Sequence, residues 1–462
     1  MTSLLEIMEE NNVSEILNRE KIIQTLCQHK YDTYVVGGAV RDLVLGIPPK
    51  DEDIVTSATP DEIHKMFPTC KTKSVGKSFG VVLVDGIEIA TFRSDRYSGL
   101  DEKKVQIKYE TDIKEDLKRR DFTINAMAFC QYTGDIIDLF GGMEDLRNRT
   151  IKFVGDPRER IFEDPNRILR GCRFVAALEG EFHPYTKEAL KQYAYLVDEV
   201  VDKERIRMEI LKAMSIKKAS LFFHALHEIG ALKFIFPSLE DCYAFSEDED
   251  MHGRFHGESI IEHIYLCGDD LSCKFPVLKL TGYLHDVGKP CSARYEKDKR
   301  SMTFKLHDII GEKIIDKELR NLKFSNEEIH YIKTLTRYHM RGFYTPRSAR
   351  RLIRILTDNN IHYNSFVRLK KADRVANLKK NKFTKEYIIK IYENIRKAKN
   401  IGLLKNVNEI AVDGNDIMKI LNIPPSKQVG EVKKELLRIV NDDPKKNDRE
   451  YLLEILRSKV YI

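Results

Sequence analysis

The spacing of apolar residues changes partway along the chain. Up to about residue 150, short apolar runs of strand type alternate with helical segments, whereas after Arg158 nearly every stretch has the i, i+3, i+4 spacing of amphipathic helices. In the first part, Thr33 to Val36 predicts a short strand that runs into Gly37-Gly38 and then a helix. The change of period predicts an α/β region followed by regions that are all helical.

A second feature of the first part is a pair of β-rich runs. Val81 to Val84 and Ile87 to Phe92 are joined by Asp85-Gly86, a dipeptide that is typical of tight hairpin turns. The sheet is therefore predicted to contain an antiparallel pair, and we expect a mixed sheet packed with helices.

Two breaks in the pattern suggest domain boundaries. One is the change of period near Arg158, and the other is the segment from Ser238 to Met251, which is acidic and lacks periodicity and is interpreted as a connector. The next region is rich in histidine, and the last eighty or so residues are basic. The predicted regions are an α/β head over 1–157, a helical neck over 158–251, a histidine-rich helical unit over 252–378 and a basic helical tail over 379–462.

Composition narrows the class of protein. A chain of 462 residues is too long to fold around one hydrophobic core. Its 42% apolar and 32% charged residues are typical of a globular protein. The absence of a long apolar run and the acidic start without a basic leader lead us to expect a cytoplasmic protein. Eight cysteines without any C-x-x-C pair indicate neither a disulfide framework nor a zinc knuckle.

Charge is informative only locally. The net charge of +6 is too balanced to indicate a nucleic-acid partner by itself. Between Arg368 and Lys399, however, twelve Lys and Arg residues stand against three acidic ones. That segment is either a solvated helix face or a surface that neutralises an RNA backbone, and the sequence leaves both readings open.

Two aspartates give the first candidate for chemistry. Asp51 and Asp53 lie two apart at the start of a predicted strand, Glu52 to Val55, so both side chains share one face. Paired carboxylates can hold the Mg²⁺ ions that assist nucleotidyl transfer. Glu88, on the second strand of the hairpin, is the third and weakest candidate ligand.

The glycine pair before the predicted helix gives a candidate anion site. Gly37 and Gly38 would let the backbone approach a triphosphate closely, and Arg41 would supply positive charge. Alone, the glycines could form only a tight bend and the aspartates only a solvated strand end. Their occurrence together within seventeen residues favours a functional site.

Five ordered motifs resemble a known family. They are GGAVRD, DED, RRDFTINAMA (119–128), EDPNRILRGCRF (163–174) and ERIRMEI (204–210), and together they cover about the first 230 residues. This set is similar to that of the class II CCA-adding tRNA nucleotidyltransferases and bacterial poly(A) polymerases. The resemblance implies a transferase that uses Mg²⁺ and binds tRNA, CTP and ATP. It implies no association with a membrane.

The resemblance also implies roles for individual residues. Arg119, Arg120 and Asp121 would bind ribose and phosphate, the carboxylate being flanked by guanidinium groups; a surface ion-pair cluster is the alternative. Asp164 and Arg167 would hydrogen-bond the edges of cytosine or adenine in place of a nucleic-acid template. Asp164, Arg167, Arg170 and Arg173 recur every three residues. The last two would hold phosphates or brace the helix. An exposed basic helix in salt bridges is the alternative for this segment.

The product of the reaction depends on finer features of the sequence than the chemistry does. In the family, a loop before the RRD motif helps the switch from CTP to ATP, and here the stretch from Phe92 to Lys118 is undeleted at 27 residues. This favours CCA addition, although Asp101-Glu102-Lys103-Lys104 stands where the family often has an Arg-Arg-Pro run. An enzyme that adds only A, or poly(A), is the alternative, and an RNA-binding chaperone with an inactive head is a further one.

A second chemistry is suggested in the histidine-rich unit. His263, His285-Asp286 and Asp373 follow the H…HD…D order of the metal-dependent phosphohydrolases called HD domains, and two more imidazoles occur at His307 and His339. A divalent ion held there could assist hydrolysis of a phosphate ester, and Mn, Ni, Co, Fe or Mg would suit such ligands. An inactive scaffold that only binds RNA remains open, as does hydrolysis as the main activity.

Overall fold

The computed structural model describes residues 13–49, 53–68, 72–75, 80–97, 105–247, 259–296, 301–377, 385–401 and 407–458. The chain divides into two compact units, Met1–Pro237 and Ser238–Ile462.

The first unit contains a mixed sheet of seven strands. The strands are β1 (Thr33–Val36), β2 (Asp53–Thr56), β3 (Thr72–Val75), β4 (Val81–Val84), β5 (Ile87–Thr91), β8 (Met127–Phe129) and β9 (Ile136–Asp138), in the order β3-β4-β5-β2-β1-β8-β9. Only β2 and β5 pair in parallel, and the other neighbours are antiparallel. The predicted α/β head with a mixed sheet is confirmed.

Local sequence explains two features of this sheet. Asp85 and Gly86 have φ of 50° and 92°, as a tight hairpin turn requires, and they join β4 to β5 as predicted. Val36, Val55 and Phe92 form part of an apolar cluster on the sheet. Separate short ladders are formed by β6 (Arg93–Tyr97) with β7 (Val105–Tyr109), and by β10 (Thr150–Ile151) with β11 (Glu181–Phe182).

Twelve described helices lie entirely within the first unit. They are α1 (Val13–Gln28), α2 (Gly38–Val44), α3 (Pro60–Met66), α4 (Ile113–Lys118), α5 (Gly142–Arg147), α6 (Pro157–Glu163), α7 (Arg167–Leu178), α8 (Pro184–Tyr193), α9 (Leu196–Glu199), α10 (Lys203–Met214), α11 (Ser220–Glu228) and α12 (Leu232–Ile235), with a 3₁₀ turn at Thr123–Asn125. The helix α7 packs against α10 and α11, so the neck is a helical layer built around it.

The second unit is almost entirely helical. Its helices are α13 (Pro237–Glu247), α14 (Ile260–Asp270), α15 (Pro276–Leu284), α16 (Lys289–Ser292), α17 (His307–Asn321), α18 (Asn326–Tyr338), α19 (Pro346–Asp358), α20 (Tyr363–Ala376), α21 (Lys385–Ile401), α22 (Gly414–Leu421), α23 (Lys427–Asp442) and α24 (Arg449–Ser458). Strands β12 (Arg294–Glu296) and β13 (Ser301–Thr303) form a small hairpin ladder, and 3₁₀ turns occur at Val407–Glu409 and Pro444–Lys446.

The interpretation of Ser238 to Met251 as a connector was wrong for its described part. Helix α13 runs from Pro237 to Glu247, and Leu239 and Cys242 are fully buried. Its few apolar residues are enough to bury one face, while the acidic residues obscure the helical period in the sequence. The division between compact units falls before Ser238 rather than after Met251.

The last predicted boundary, between residues 378 and 379, also differs from the packing. Ile391, Ile395 and Ala398 of α21 belong to the same apolar core as residues of α14, α15 and α18 to α20. A separate core unites α22, α23 and α24. The histidine-rich region therefore includes α21, and the independent tail core begins near Ile410. Within the described ranges, no helix is both long and apolar enough to cross a bilayer.

Candidate functional sites

A cleft of about 570 Å³ lies in the first unit. This volume is within the usual range for small-molecule sites. All twelve predicted head and neck residues that the structure describes line it: Gly37, Gly38, Arg41, Asp53, Glu88, Arg119, Arg120, Asp121, Asp164, Arg167, Arg170 and Arg173. The thirteenth, Asp51, lies outside the described residues. Residues that are up to 136 positions apart in sequence therefore face one space.

Two carboxylates lie at adjacent strands of the cleft. The parallel register that pairs Ile54 with Ile89 continues to Asp53 and Glu88, which places these two residues side by side. Both are exposed, whereas Ile54 and Ile89 point into the core. Oxygen ligands of this kind suit Mg²⁺, so the arrangement fits the ion that the sequence suggested.

Gly37 allows a close approach of charged groups to the backbone. Its φ is 73°, a conformation that favours glycine, and it directly follows β1. A Cβ built here would lie 3.2 Å from Nη1 of Arg120 and 3.5 Å from Oδ2 of Asp53. A Cβ would be tight against Arg120 and in ordinary contact with Asp53, and the positive φ would strain any other residue, so glycine is favoured at this position.

The arginines of the RRD motif are paired with a carboxylate that the sequence did not indicate. Asp116, fully buried in α4, accepts hydrogen bonds from Nη2 of Arg119 at 2.6 Å and from Nη2 of Arg120 at 2.9 Å. Burial alone would raise the pKa of Asp116, but the guanidinium groups of Arg120 and Arg119 outweigh it and lower the pKa. The expectation that Asp121 is flanked by these two arginines is corrected accordingly.

Asp121 is paired with Arg170 instead. Nε and Nη2 of Arg170 approach Oδ2 of Asp121 at 2.8 Å and 2.6 Å, and Oδ1 accepts from the backbone N–H of Phe122 and from Nδ2 of Asn125. The positive charge of Arg170 outweighs the effect of burial and lowers the pKa of Asp121. Asn125 in turn accepts from Nη1 of Arg41 at 2.9 Å. One network thus connects both sides of the cleft.

The two residues predicted to read the base occupy different elements. A single helix through the residues that recur every three positions would place Asp164 on α7, but Asp164 lies directly after α6. Its carboxylate accepts a hydrogen bond from Arg205 at 2.9 Å. Arg167 is 6% exposed and donates to the Glu163 carboxylate and to the carbonyls of Arg160 and Arg119. These bonds use three of its five N–H donors, and both side chains line the cleft.

Arg173 braces the helical layer. Its Nε donates to Glu209 of α10 at 2.6 Å, and the pKa of Glu209 is lowered because Arg173 and Lys212 outweigh burial. The guanidinium carbons of Arg41, Arg170 and Arg173 lie 5.5, 5.7 and 4.6 Å from the ring centre of Phe174. Contacts of this type are attractive, so Phe174 helps to position three cations at the cleft.

Sequence reasoning missed several of these residues. Asn125 and Phe174 lie within quoted motifs, and so do Arg205 and Glu209, but none had been given a role. Asp116 lies just before the RRD motif, three residues from Arg119, a helical spacing that pairs side chains. That spacing was the available signal for Asp116.

A cluster of histidines and aspartates forms a second candidate site, in the second unit. It contains all four residues predicted as HD ligands and both additional imidazoles: His263, His285, Asp286, His307, His339 and Asp373. They come from α14, the end of α15, the start of α17, the end of α18, and α20. All are buried except Asp373, which is partly buried.

The first part of this cluster groups four residues. Nε2 of His263 lies 3.5 Å from Oδ2 of Asp286 and 3.4 Å from Oδ1 of Asp373, and Nε2 of His285 lies 3.3 Å from Oδ2 of Asp286. His263, His285 and Asp286 can offer one ligand atom each to a single ion. The ligand set suits a divalent transition metal.

Positive charge surrounds the carboxylates of the cluster. Nζ of Lys289 lies beside Oδ2 of Asp286, and Nζ of Lys370 lies 2.9 Å from Oδ2 of Asp373. Burial would lower the pKa of His285, but Asp286 outweighs it and raises that pKa well above its ordinary value, whereas burial lowers the pKa of His339. Asp286 is therefore a buried anion that favours cations around it.

Three family models match parts of the chain. Residues 33–152 match the poly A polymerase head domain, residues 181–243 match a probable RNA and SrmB-binding site of polymerase A, and residues 297–456 match a putative tRNA nucleotidyltransferase domain 2. The first match contains β1 to β9. The second match contains α10 and lies in the helical layer built around α7.

Curated relatives resemble a little less than half of the chain. A CCA-adding enzyme of Geobacillus stearothermophilus is 42% identical over 213 residues, which are 45% of this chain and 52% of that protein. One from Leuconostoc citreum is 39% identical over 225 residues, or 48% of this chain and 55% of that protein. The chain therefore matches only about half the length of these curated relatives.

Solved structures resemble the chain over nearly its full length. The crystal structure of the Bacillus stearothermophilus CCA-adding enzyme in complex with CTP has a TM-score of 0.63 at 26% identity, covering 95% of this chain and 96% of that one. The Thermotoga maritima CCA-adding enzyme complexed with tRNA has a TM-score of 0.55 at 22% identity, covering 99% and 98%, and supports the fold alone.

Proposed function

Since the chain belongs to the family of class II tRNA nucleotidyltransferases and bacterial poly(A) polymerases, we propose that it adds C, C and A to the 3′ end of tRNA. The substrates are CTP and ATP, and no nucleic-acid template is used. The observation that carries the proposal is the cleft of the first unit, where all twelve described candidate residues meet. In this proposal residues 1–157 carry out the chemistry, residues 158–237 select the base, and the basic tail contributes to tRNA binding.

The reaction joins the terminal 3′-oxygen of the tRNA to the α-phosphorus of the nucleotide and releases pyrophosphate. Asp53, with Glu88 beside it and Asp51 two residues before it, would hold the Mg²⁺ of this transferase family. When bound, Mg²⁺ supplies positive charge that favours an ionised attacking hydroxyl and stabilises the leaving pyrophosphate. Enzymes of the family use a divalent metal, and Mg²⁺ is the ion that these oxygen ligands favour.

The chain's own residues prepare the cleft for a triphosphate. Arg119 and Arg120 are fixed by Asp116, so their planar donors face the cleft with little freedom to lose on binding. Arg41 is held by Asp42 and Asn125 in the same way. A positively charged and rigid lining lowers the cost of binding the phosphates and orients the α-phosphate for attack.

Base selection is assigned to Asp164 and Arg167. A carboxylate accepts a hydrogen bond from the exocyclic amine that cytosine and adenine have and uracil lacks, and a guanidinium donates to ring acceptors. The two bonds that Asp164 already makes use only part of its acceptor capacity, and Arg167 keeps two N–H donors. Discrimination against UTP follows from this pair.

The direct test supplies each labelled nucleotide separately, and CTP with ATP together, to tRNA that lacks its CCA end, with Mg²⁺ present. A parallel reaction uses tRNA ending in CC. The proposal expects addition of C, C and A in order, followed by arrest. Addition of A only to the CC-ended tRNA, or of long A tails, would assign the chain to A addition or poly(A) synthesis instead.

The histidine cluster favours a second candidate function, hydrolysis of a phosphate ester. Its support is the convergence of His263, His285, Asp286 and Asp373, which fits a divalent ion that would activate water for hydrolysis. The expected role is removal of a phosphate from a damaged tRNA 3′ end before extension. The test offers tRNA with a 2′,3′-cyclic end, which water opens to a monoester, or with a 3′-phosphate end, from which water releases inorganic phosphate. Asp286→Asn should abolish both reactions while CCA addition continues.

A further inference from the structure

We propose that a cavity at the start of α19 binds a nucleoside phosphate, whose base stacks on Tyr344 and whose phosphate is held by Arg347 and Arg351. This cavity lies in the second unit and is separate from the cleft in which the transferase substrates are proposed to bind. None of the six residues of the histidine cluster lines it.

The lining of the cavity carries an excess of positive charge. Its volume is about 380 Å³, within the usual range for small-molecule sites, and its charged lining residues are Arg341, Arg347, Arg351 and Asp442. Oδ1 of Asp442 lies 3.0 Å from Nη1 of Arg354, which is not part of the lining, and Oδ2 lies 3.8 Å from Nε of Arg351. The charge of Asp442 is therefore engaged mainly outside the cavity. Within the described ranges, Arg341 and Arg347 make no ion pair.

The sequence of α19 concentrates arginines on one face. Arg347, Arg350, Arg351 and Arg354 follow the i, i+3, i+4, i+7 spacing, so they project from the same side of the helix, and like charges at this spacing repel one another. Arg350 is 3% exposed, and its Nε and Nη1 have no acceptor among the residues that the structure describes. A bound anion would offset the repulsion, and the field of the buried Arg350 would add to its attraction.

Tyr344 provides a flat surface for a base. A Cβ built at Gly342 would lie 2.6, 2.7 and 3.0 Å from three carbons of the Tyr344 ring, and such similar distances mean that one face of the ring lies against the bare backbone of Gly342. Nδ2 of Asn394 donates to the carbonyls of Phe343 and Tyr344 and fixes this backbone. The Tyr344 side chain remains 56% exposed, so its opposite face can stack on a base.

An aromatic surface beside guanidinium groups suits a nucleoside phosphate. Arginine binds phosphate oxygens through two parallel N–H groups, and an aromatic ring stacks on any base. An inorganic anion would use only the arginines, and an uncharged aromatic ligand would use only Tyr344. Free nucleotides and RNA strands both present a base beside a phosphate, so the test has an arm for each source.

Photo-crosslinking of the full chain tests where the ligand binds. Azido-ADP, supplied without metal ion or tRNA so that no nucleotide is transferred, should label residues 341–351, and unmodified ADP should prevent the labelling. No label in this segment with azido-ADP at about 1 mM would overturn the proposal. The readout requires no catalysis, so labelling of residues 341–351 stands even if CCA addition is disproved.

A paired substitution tests the arginines. Arg347→Gln with Arg351→Gln should weaken ADP binding at this segment by about 100-fold, because two charge-assisted contacts with the phosphate are lost. Arg396→Gln with Lys397→Gln removes the same charge from exposed positions of α21 and should change the affinity by about twofold at most. Equal affinity in the two paired variants would overturn the assignment of the phosphate to Arg347 and Arg351.

Tyr344 is tested by comparing ADP with pyrophosphate, which has no base. Tyr344→Leu should weaken ADP binding by about 10-fold and leave unchanged the concentration of pyrophosphate that prevents labelling, whereas Tyr344→Phe should keep both affinities. Tyr344 is exposed, so these substitutions should leave the fold intact. Unchanged ADP affinity in Tyr344→Leu would overturn the stacking of a base at this position.

The last arm identifies the source of the nucleoside phosphate. Labelling of residues 341–351 that is abolished by saturating tRNA would assign the site to a nucleotide of the RNA. Labelling that persists beside bound tRNA would assign it to a free nucleotide. Both outcomes support a nucleoside phosphate site, and they differ only in where its ligand comes from.

Discussion

The cleft of the first unit and the histidine cluster of the second unit differ in how their buried carboxylates are partnered. In the cleft, the buried carboxylates of Asp116 and Asp121 are paired with guanidinium groups. In the cluster, Oδ1 of Asp286 and Nε2 of His285 are buried and accept no hydrogen bond from the residues that the structure describes. The cleft presents fixed cations, whereas the cluster presents converging lone pairs.

This difference indicates the kind of ligand that each site accepts. Paired arginines keep their geometry and can extend donors to an anion, as binding of a nucleoside triphosphate requires. Converging acceptors repel one another and are stabilised by a cation of small radius. The same residue types, carboxylates with basic side chains, are therefore arranged to suit an anion in one unit and a cation in the other.

The largest expected effect separates the two sites. Asp53→Ala removes a proposed Mg²⁺ ligand, so nucleotide incorporation should fall by about 10³-fold or more while tRNA binding is kept. Phosphate release at the histidine cluster should continue, since Asp53 lies in the other unit. Both activities are measured on one preparation. Asp61→Asn, an exposed aspartate at the start of α3, is the control, and retained incorporation would reject Asp53 as a metal ligand.

The next effect removes the pairing that characterises the cleft. Asp116→Asn removes the buried counter-charge that Arg119 and Arg120 share, although Arg119 keeps Asp95 at 3.4 Å, and it should lower the free energy of unfolding by about 3 kcal/mol. The pKa of Asp116 is lowered in the folded state, so its contribution is present above the unfolded pKa of 3.8 and is lost as pH falls through the folded value.

Denaturant unfolding of Asp116→Asn at pH 7 checks this expectation, with the neighbouring Glu115→Gln on α4 as control. A variant as stable as the original chain would show that the arginines are held by other contacts. Nucleotide affinity should fall together with stability, because Arg119 and Arg120 line the cleft.

A third prediction concerns a carboxylate that has neutral donors only. Glu318 accepts from N and Oγ of Ser238, and burial raises its pKa to about 7. The folded state then binds more protons than the unfolded state between about pH 4.5 and 7, so stability falls as pH rises through this window. Glu318→Gln should remove that fall and stabilise the second unit at pH 8 by ~2 kcal/mol.

Melting temperatures at pH 5 and pH 8 test the sign of this effect. Glu318→Gln should narrow the difference between the melting temperatures at pH 5 and pH 8. Glu327→Gln, at an exposed position on α18, should leave that difference unchanged. An unchanged difference would mean that Glu318 is ionised without cost, like the arginine-paired carboxylates of the cleft.

The smallest expected effect concerns base choice. Asp164→Ala should reduce the preference for CTP and ATP over UTP by about 10-fold while metal binding is kept, because one acceptor for the exocyclic amine is lost. Competition between labelled nucleotides measures it, with the exposed Glu159→Ala on α6 as control. Unchanged selectivity would remove Asp164 from base recognition.

Much of the head could be predicted because its signals are local. The strand from Thr33 to Val36 and the hairpin at Asp85-Gly86 occur where sequence period and turn chemistry place them. The residues that line the cleft could also be predicted, because five motifs in a fixed order resemble those of a family in which these residues act together. The structure brings every described member into one cleft.

What sequence could not provide is the pairing between distant segments. Arg173 meets Glu209 and Asp121 meets Arg170 across 36 and 49 residues, and no local pattern encodes these partners. Helix α13 was missed because most of its polar residues are acidic, which obscured the apolar face that is buried. The directions of the His285, His307 and His339 imidazoles depend on backbone carbonyls, which become defined only in the folded chain.

The position of α21 has a consequence for dividing the polypeptide. Asn394 donates to the carbonyls of Phe343 and Tyr344, and Ile391 and Ile395 fill the core beneath them. A fragment that stops at residue 378 would expose an apolar groove and two unsatisfied carbonyls, and would tend to aggregate. A division just before Val407 would instead keep both apolar cores whole, although it would break the ion pair of Arg354 with Asp442 at 3.0 Å.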